Sequence, residues 1–323
     1  MTQPNRINVL MILGSNWLEY EAAIAVDSFK QFNPSIPLYL AQPVASKLWP
    51  HPPRSTRVAE FEGLGAQVID FENRHFGVRY PIGNKIEALF ALPKGEAFAF
   101  FDTDTVFTGA LDLGRLDLSR PMASLKRSDT WPNLRKTSAQ RGDIWRAVYT
   151  AAHLDPKDIE NPNCDIHAFE RYPYFNAGAL YGPCPHKLAQ LWLATARAIE
   201  TSDDPLIRAQ SLNPWLDQVS LGPTIAALDG GQDEAGAQYL DHEASCHYRR
   251  LSFAYAREDD RVIAQIEASA QRTGHITHGH DAVRPLLHEG IGQEIRRAFY
   301  PRPRGEDEAT LRKALKSQGY WLR

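Results

Sequence analysis

The run from Ala97 to Asp104, Ala-Phe-Ala-Phe-Phe-Asp-Thr-Asp, limits more than any other how this chain can fold. Ala97 to Phe101 has the make-up of a buried strand, which needs apolar layers on both faces. Asp102 and Asp104 stand where that strand leaves its sheet. Alternation puts both side chains on one side of an extended chain. Two hard oxygen ligands facing one way, with coordination positions left over, suit a divalent metal that also takes phosphate oxygens. In an open α/β sheet the carboxyl ends of strands are where ligands bind. Taken alone, the same residues also fit an acidic turn that caps a strand.

The segments before this run supply the layers. Ile7 to Leu13 reads as a first strand ending at Gly14-Ser15-Asn16. Leu18, Ala22, Val26, Phe29 and Phe32 then form one buried stripe at helical spacing, stopped by Asn33-Pro34. Ile36 to Leu40 and Ala66 to Phe71 read as further strands, and Lys85 to Leu92 as a helix. Strands alternating with helices predict an α/β fold, with a mostly parallel sheet flanked by helices. Its active edge would lie around residues 14–17 and 102–104. No Gly-x-Gly-x-x-Gly and no phosphate-loop lysine motif is present, so phosphates would need a metal in place of a glycine cradle.

Composition narrows the partners. Thirty-six basic and 39 acidic residues leave a net charge of −3, so no global basic field points to nucleic acid. Three separated cysteines (Cys164, Cys184, Cys246) form no framework, which fits a reducing compartment and argues against zinc. The first apolar run, Ile7 to Leu13, is too short to cross a membrane and has no cleavage signal, so a cytoplasmic protein without a transmembrane segment is expected.

The second half is less regular. Pro121 to Leu125 is strand-like, Lys187 to Ile199 is helical, and Asn213-Pro214 looks like an N-cap followed by a first-turn proline. No linker divides the chain. A single domain over 1–300 is expected, with a nucleotide-binding half of about 1–110, an acceptor half of about 111–300, and a tail over 301–323.

Three later segments carry polar groups suited to a ligand. In Tyr174-Phe-Asn-Ala-Gly-Ala-Leu-Tyr181, Asn176 offers a donor and an acceptor, and small neighbours let backbone approach a ligand. A satisfied asparagine at a strand turn is the plainer alternative. Asp217 and Gln218 fall in the first turn of a helix, where an acid is also favoured by the helix dipole. His275, His278 and His280 fall within six residues in a chain with eleven histidines. They cannot share one orientation on a regular element, so at most one or two would join a carboxylate–imidazole shell of the kind that suits manganese.

Asp102-Thr103-Asp104 after an apolar strand, Phe175-Asn176-Ala177-Gly178, Asp217-Gln218 and a late histidine, in that order, resemble a GT-A-fold glycosyltransferase, most closely the family 8 (glycogenin and lipopolysaccharide galactosyltransferase) type. That family closes on His-x-x-Gly-x-x-Lys-Pro-Trp. Here His278 precedes Arg284-Pro285 by six residues, with Asp281 in place of Gly and Leu286 in place of Trp. The resemblance implies a Rossmann-like nucleotide-binding half and an acceptor-binding half. It implies a nucleotide-diphosphate sugar donor, UDP-hexose by the family's habit, and a carbohydrate or glycoconjugate acceptor. Mn²⁺ or Mg²⁺ would be held by Asp102, Asp104 and His278, with His275 and His280 as rivals. Lys85 and Arg284 would serve the diphosphate, and Thr103, Ala177 and Gly178 would also bind the donor. Asn176, Asp217 and Gln218 would bind the sugar, with Asp217 and Gln218 closest to the chemistry. Ile12 to Trp17 would line the base and ribose pocket. Family 8 enzymes retain the anomeric configuration; Asp165 as a general base would give inversion instead.

The stretch Lys126 to Tyr149 mixes six cations with Trp131 and Trp145, which suits an anionic carbohydrate acceptor or a segment with its tryptophans packed inward. The end, Arg312 to Arg323, is basic and aromatic. It fits a docked helix or a peripheral contact with an anionic membrane. Two other classes remain open at this level. One is a haloacid-dehalogenase-like phosphatase with Asp102 as nucleophile, whose motif normally opens the first strand. The other is a non-catalytic nucleotide- or carbohydrate-binding protein.

Overall fold

Four apolar runs become the parallel part of one sheet: β1 (Asn8–Ile12), β2 (Leu38–Val44), β3 (Gln67–Glu72) and β4 (Phe98–Phe101). The computed structural model describes residues 6–125, 131–134, 138–165, 168, 171–301 and 308–322. β5 (Thr105–Phe107) follows the Asp-x-Asp turn, β6 is Met122–Ser124, β7 is Asn176–Gly182 and β8 is Ser245–His247. The main sheet has the order β3-β2-β1-β4-β7-β6, with β7 antiparallel to both β4 and β6. β5 and β8 pair antiparallel in a two-stranded ribbon of their own. This is the mostly parallel, helix-flanked layout that the alternation predicts.

Several boundaries differ from the expected ones. The second strand runs to Val44 through Pro43; β1 pairs only with Leu38 to Ala41, so no neighbour on that side needs the missing N–H. The third strand is shifted by one residue to Gln67–Glu72. The helix expected over 85–92 is one α-turn, Asn84–Glu87, followed by a 3-10 turn, Ala88–Ala91. Pro214 is not a first helical residue: Trp215 N–H closes a turn onto Leu212 O at 2.6 Å, and the helix starts at Leu216.

Two apolar cores share one helix. Trp17–Phe32 turns Ala22, Ala23, Ala25, Val26 and Phe29 to the core under the sheet, and Tyr20 and Ile24 to a second core. The second core is built by helices Leu251–Arg257, Asp260–Arg272, Arg284–His288, Ile291–Phe299 and Glu308–Ser317. The last helix is docked: Leu311 and Leu315 are buried and Tyr320, Trp321 and Leu322 pack beside them. Trp131 and Trp145 sit in the main core with ring centroids 4.8 Å apart. They pack inward and present no acceptor platform. Lys126, Arg127, Arg135 and Lys136 of that stretch lie outside the described residues. Among the described residues no helix is long and apolar enough to cross a membrane.

Candidate active site

The carboxyl ends of β1 and β4 open onto a cleft of about 610 Å³. Ser15, Asn16 and Trp17 from the end of β1 form one wall; Asn176, Gly178, Trp215, Asp217 and Gln218 form the other. Asp102 and Asp104 lie on the floor between them, both partly accessible.

Each floor carboxylate has a cation. Lys85 Nζ lies 2.9 Å from Asp102 Oδ1 and 3.0 Å from Oδ2, and 3.3 Å from Asp217 Oδ2. Burial works against the Lys85 charge, but Asp102 and Asp217 outweigh it and hold the ammonium well above its usual range. Asp102 is pushed up by burial, with Lys85 opposing. His247 Nε2 lies 3.0 Å from Asp104 Oδ1. Burial alone would raise Asp104, yet the His247 charge and hydrogen bond hold it below the usual value. The same contact lifts His247 against its own burial.

Backbone geometry places that histidine. β5 leaves the Asp-x-Asp turn and pairs with β8, Thr105 opposite His247. Tyr248 N–H bonds Asp104 O at 3.0 Å, which closes the turn. Gly178 makes room for the ring: a Cβ there would lie 2.3 Å from His247 Cε1. The glycine expected to let backbone approach a ligand thus admits an imidazole. Asn176 Oδ1 accepts the Gly178 N–H at 2.7 Å, and Lys85 also donates to Ala177 O at 3.3 Å.

The Asp217–Gln218 pair is also fixed. Tyr80 OH donates to Asp217 Oδ1 at 2.7 Å and accepts the Asp217 N–H at 2.9 Å. Tyr174 OH meets Gln218 Oε1 at 3.0 Å. Both residues are buried at the cleft wall. Thr103 is buried with its hydroxyl 3.4 Å from Glu21 Oε2. Burial raises the Glu21 carboxyl well above its usual value, with the charge of Asp104 adding to it.

Among the described residues, Asp102, Asp104 and His247 form a group whose ligand atoms all lie within 4.8 Å of one another. The donor set fits a hard divalent ion: two carboxylates and an imidazole. The His247 ring also has no rival commitment, since its Nδ1 is buried without a hydrogen-bond partner and Nε2 meets only Asp104.

A sequence profile described as "Rhodobacterales glycosyltransferase domain" matches residues 9–229, more than half of the chain. The chain belongs to this family; it is a glycosyltransferase. No curated protein matches it. A solved structure, the galactosyltransferase LgtC in complex with donor and acceptor sugar analogues, is similar at 13% identity and a TM-score of 0.42. The likeness covers 67% of this chain and 70% of that one, and at that level it adds nothing to the assignment.

Family membership sets the phosphatase and binding-protein alternatives aside, and β4 is the fourth strand of this glycosyltransferase, not the first. The structure brings Lys85, Asp102, Thr103, Asp104, Asn176, Gly178, Asp217 and Gln218 to one cleft, with Ala177 supplying its carbonyl to Lys85. It does not bring the histidine trio there. His278 is exposed, its ring stacked on His288 at 3.7 Å, and the histidine that the structure sets beside the two aspartates is His247. His275 lies 3.7 Å from Glu60, and His280, in the loop after its helix, lies 3.6 Å from Glu19. Arg284 pairs with Glu289 at 3.0 Å and does not line the cleft. Asp165 is exposed on the loop before β7, also away from it. Residues the sequence reading missed are His247, Arg249, Arg250, Tyr80 and Glu21. Ser245-Cys-His-Tyr-Arg-Arg250 did carry a signal, a short strand-like run ending in a histidine and two cations.

Proposed function

We propose that this glycosyltransferase is a metal-dependent hexosyltransferase of the family 8 type, acting in the cytoplasm with at most peripheral membrane contact. It takes a hexose from UDP-hexose to a carbohydrate acceptor with retention of configuration. The observation that carries the reading is the Asp102–Asp104–His247 group on the floor of a cleft large enough for a nucleotide sugar.

Asp102, Asp104 and His247 would hold Mn²⁺ or Mg²⁺. Such an ion supplies neutralisation of the charge that grows on a departing diphosphate. Lys85 keeps its proton and is ready to donate to phosphate oxygens beside Asp102. The end of β1, from Ile12 to Trp17, would receive the base and ribose. Asn176, Asp217 and Gln218 would hold sugar hydroxyls, with Tyr80 and Tyr174 fixing the last two. Gln218 would face the anomeric carbon as positive charge develops there.

Retention is favoured by how the cleft's acids are engaged. Asp102 and Asp217 are tied to Lys85, Asp104 to His247, and Glu21 is buried and protonation-prone. None of these carboxylates lining the cleft is set up as a general base. The departing phosphate would then take the acceptor proton on the same face. Thermal denaturation with UDP-sugars, with and without Mn²⁺, tests the donor reading: stabilisation that needs the metal supports it, and no shift with any donor contradicts it. Proton NMR of the first-formed product tests retention, and an inverted anomer contradicts it.

A further inference from the structure

A second cavity, of about 460 Å³, adjoins the donor cleft, and Trp17 and Arg250 line both. Apart from Trp17 and Tyr20, its lining comes from beyond residue 229, outside the segment that the family profile matches. Leu251 and Leu286 give it apolar walls, and Arg312 and Trp321 close the far side. Trp17 is 50% exposed, large for an indole, and the Arg250 guanidinium lies 5.4 Å from its ring centroid. Arg312 lies 5.3 Å from the Trp321 ring. Among the described residues neither arginine has an ion-pair partner, whereas nearby Arg249 and Arg257 both pair with Glu308.

Two unpaired guanidiniums, each against an indole, form a recognisable chemistry. Indole faces take the C–H face of a pyranose, and a guanidinium fork takes a carboxylate or phosphate through two parallel hydrogen bonds. The donor cleft already has the volume and the cation-binding groups for a nucleotide sugar, so a second donor site is not needed. We infer that the cavity between Trp17, Arg250, Arg312 and Trp321 is the acceptor subsite and that it selects a saccharide bearing an anionic substituent. The acceptor's carboxylate or phosphate sits between the two arginines, its ring against the indoles, and its reacting hydroxyl reaches past Trp17 into the donor cleft. This inference rests on the glycosyltransferase reading, but it concerns which acceptor is chosen.

The test uses three probes with the whole chain: methyl β-glucuronide, glucose 6-phosphate and neutral methyl β-glucoside. Saturation-transfer NMR gives their binding, and UDP with Mn²⁺ in a thermal-shift assay independently gives donor binding. The expected result is that one or both anionic probes bind about tenfold or more tightly than the neutral one. R312Q abolishes that preference, R312K restores only part of it because an ammonium lacks the fork, and the UDP–Mn²⁺ shift is unchanged in both. Preference for the glucuronide identifies a carboxylate acceptor; preference for the phosphate identifies a phosphorylated one. Equal binding of all three probes, no binding of any, or a preference that survives R312Q overturns the inference. Absence of the UDP–Mn²⁺ shift in the unaltered protein overturns the donor reading instead, whatever the probes do.

Discussion

The segment matched by the family profile and the segment after it divide the site unequally. Residues 9–229 hold most of the main sheet, both floor aspartates, Lys85 and the cleft-lining Asn176, Asp217 and Gln218. Beyond 229, the helices from Leu251 onward make a body with its own core, and β8 with the residues just after it reaches back to the site. Yet that strand delivers His247 to Asp104, and the bend just after it brings Arg249 and Arg250 to the cleft lining. A chain can thus keep an ordinary α/β sheet for the carboxylates and take the group that completes them from a separately packed region. The helix Trp17–Phe32, buried on two faces by two cores, is what locks the regions into one frame.

The largest effect should come from the sheet side. Asp104→Asn removes charge from the metal group and from the hold on His247, and should lower turnover about 10²–10³-fold, read as initial rate against Mn²⁺ concentration. Gly178→Ala strikes the junction between the regions. Its methyl would overlap His247 Cε1, so the fold should persist while metal affinity falls about 10–100-fold, as when a ligand loses its support. Unchanged Mn²⁺ affinity in that variant would break the link between β7 and β8.

Leu315→Ala probes the second region alone. Leu315 is fully buried in its core, and the change should cost about 2–5 kcal/mol by chemical denaturation. Amide exchange should rise first in residues 251–322 and leave the main sheet protected. The smallest effect concerns Glu308, which bonds Arg249 at 2.9 Å and Arg257 at 3.1 Å. Burial opposes its charge, but the two guanidiniums hold its pKa below the ordinary 4.5. A depressed carboxylate adds stability above the unfolded value, and that stability is lost as pH falls through the folded value. Exchange in helix Glu308–Ser317 should therefore quicken as pH falls below the ordinary 4.5 and quicken at neutral pH in Glu308→Gln, by roughly 1–2 kcal/mol.

What could be read from the sequence follows the range of the interactions. The strand before Asp102, the pairing of Asp102 with Asp104, and the placement of Asn176 and Asp217-Gln218 depend on neighbours close in sequence or on strand ends, and they show as local patterns. His247 depends on β8 finding β5 from 140 residues away, as Thr105 opposite His247 shows, and no local pattern encodes that register. The crowding at His275, His278 and His280 drew attention by composition, but those rings contact Glu60, His288 and Glu19 away from the cleft. The turn at Leu212 to Trp215 carries helix-start residues, and the Trp215 N–H bonded to Leu212 O at 2.6 Å holds it as a turn instead.

The account stands on His247 as the third partner of Asp102 and Asp104. Mn²⁺ titration in the presence of UDP, followed by electron paramagnetic resonance, compares His247→Ala with His278→Ala. Affinity should fall about 10–100-fold in His247→Ala, as expected when metal-site support is lost, and stay at the level of the unaltered protein in His278→Ala. The reverse order, or equal affinity in both variants, would contradict the account.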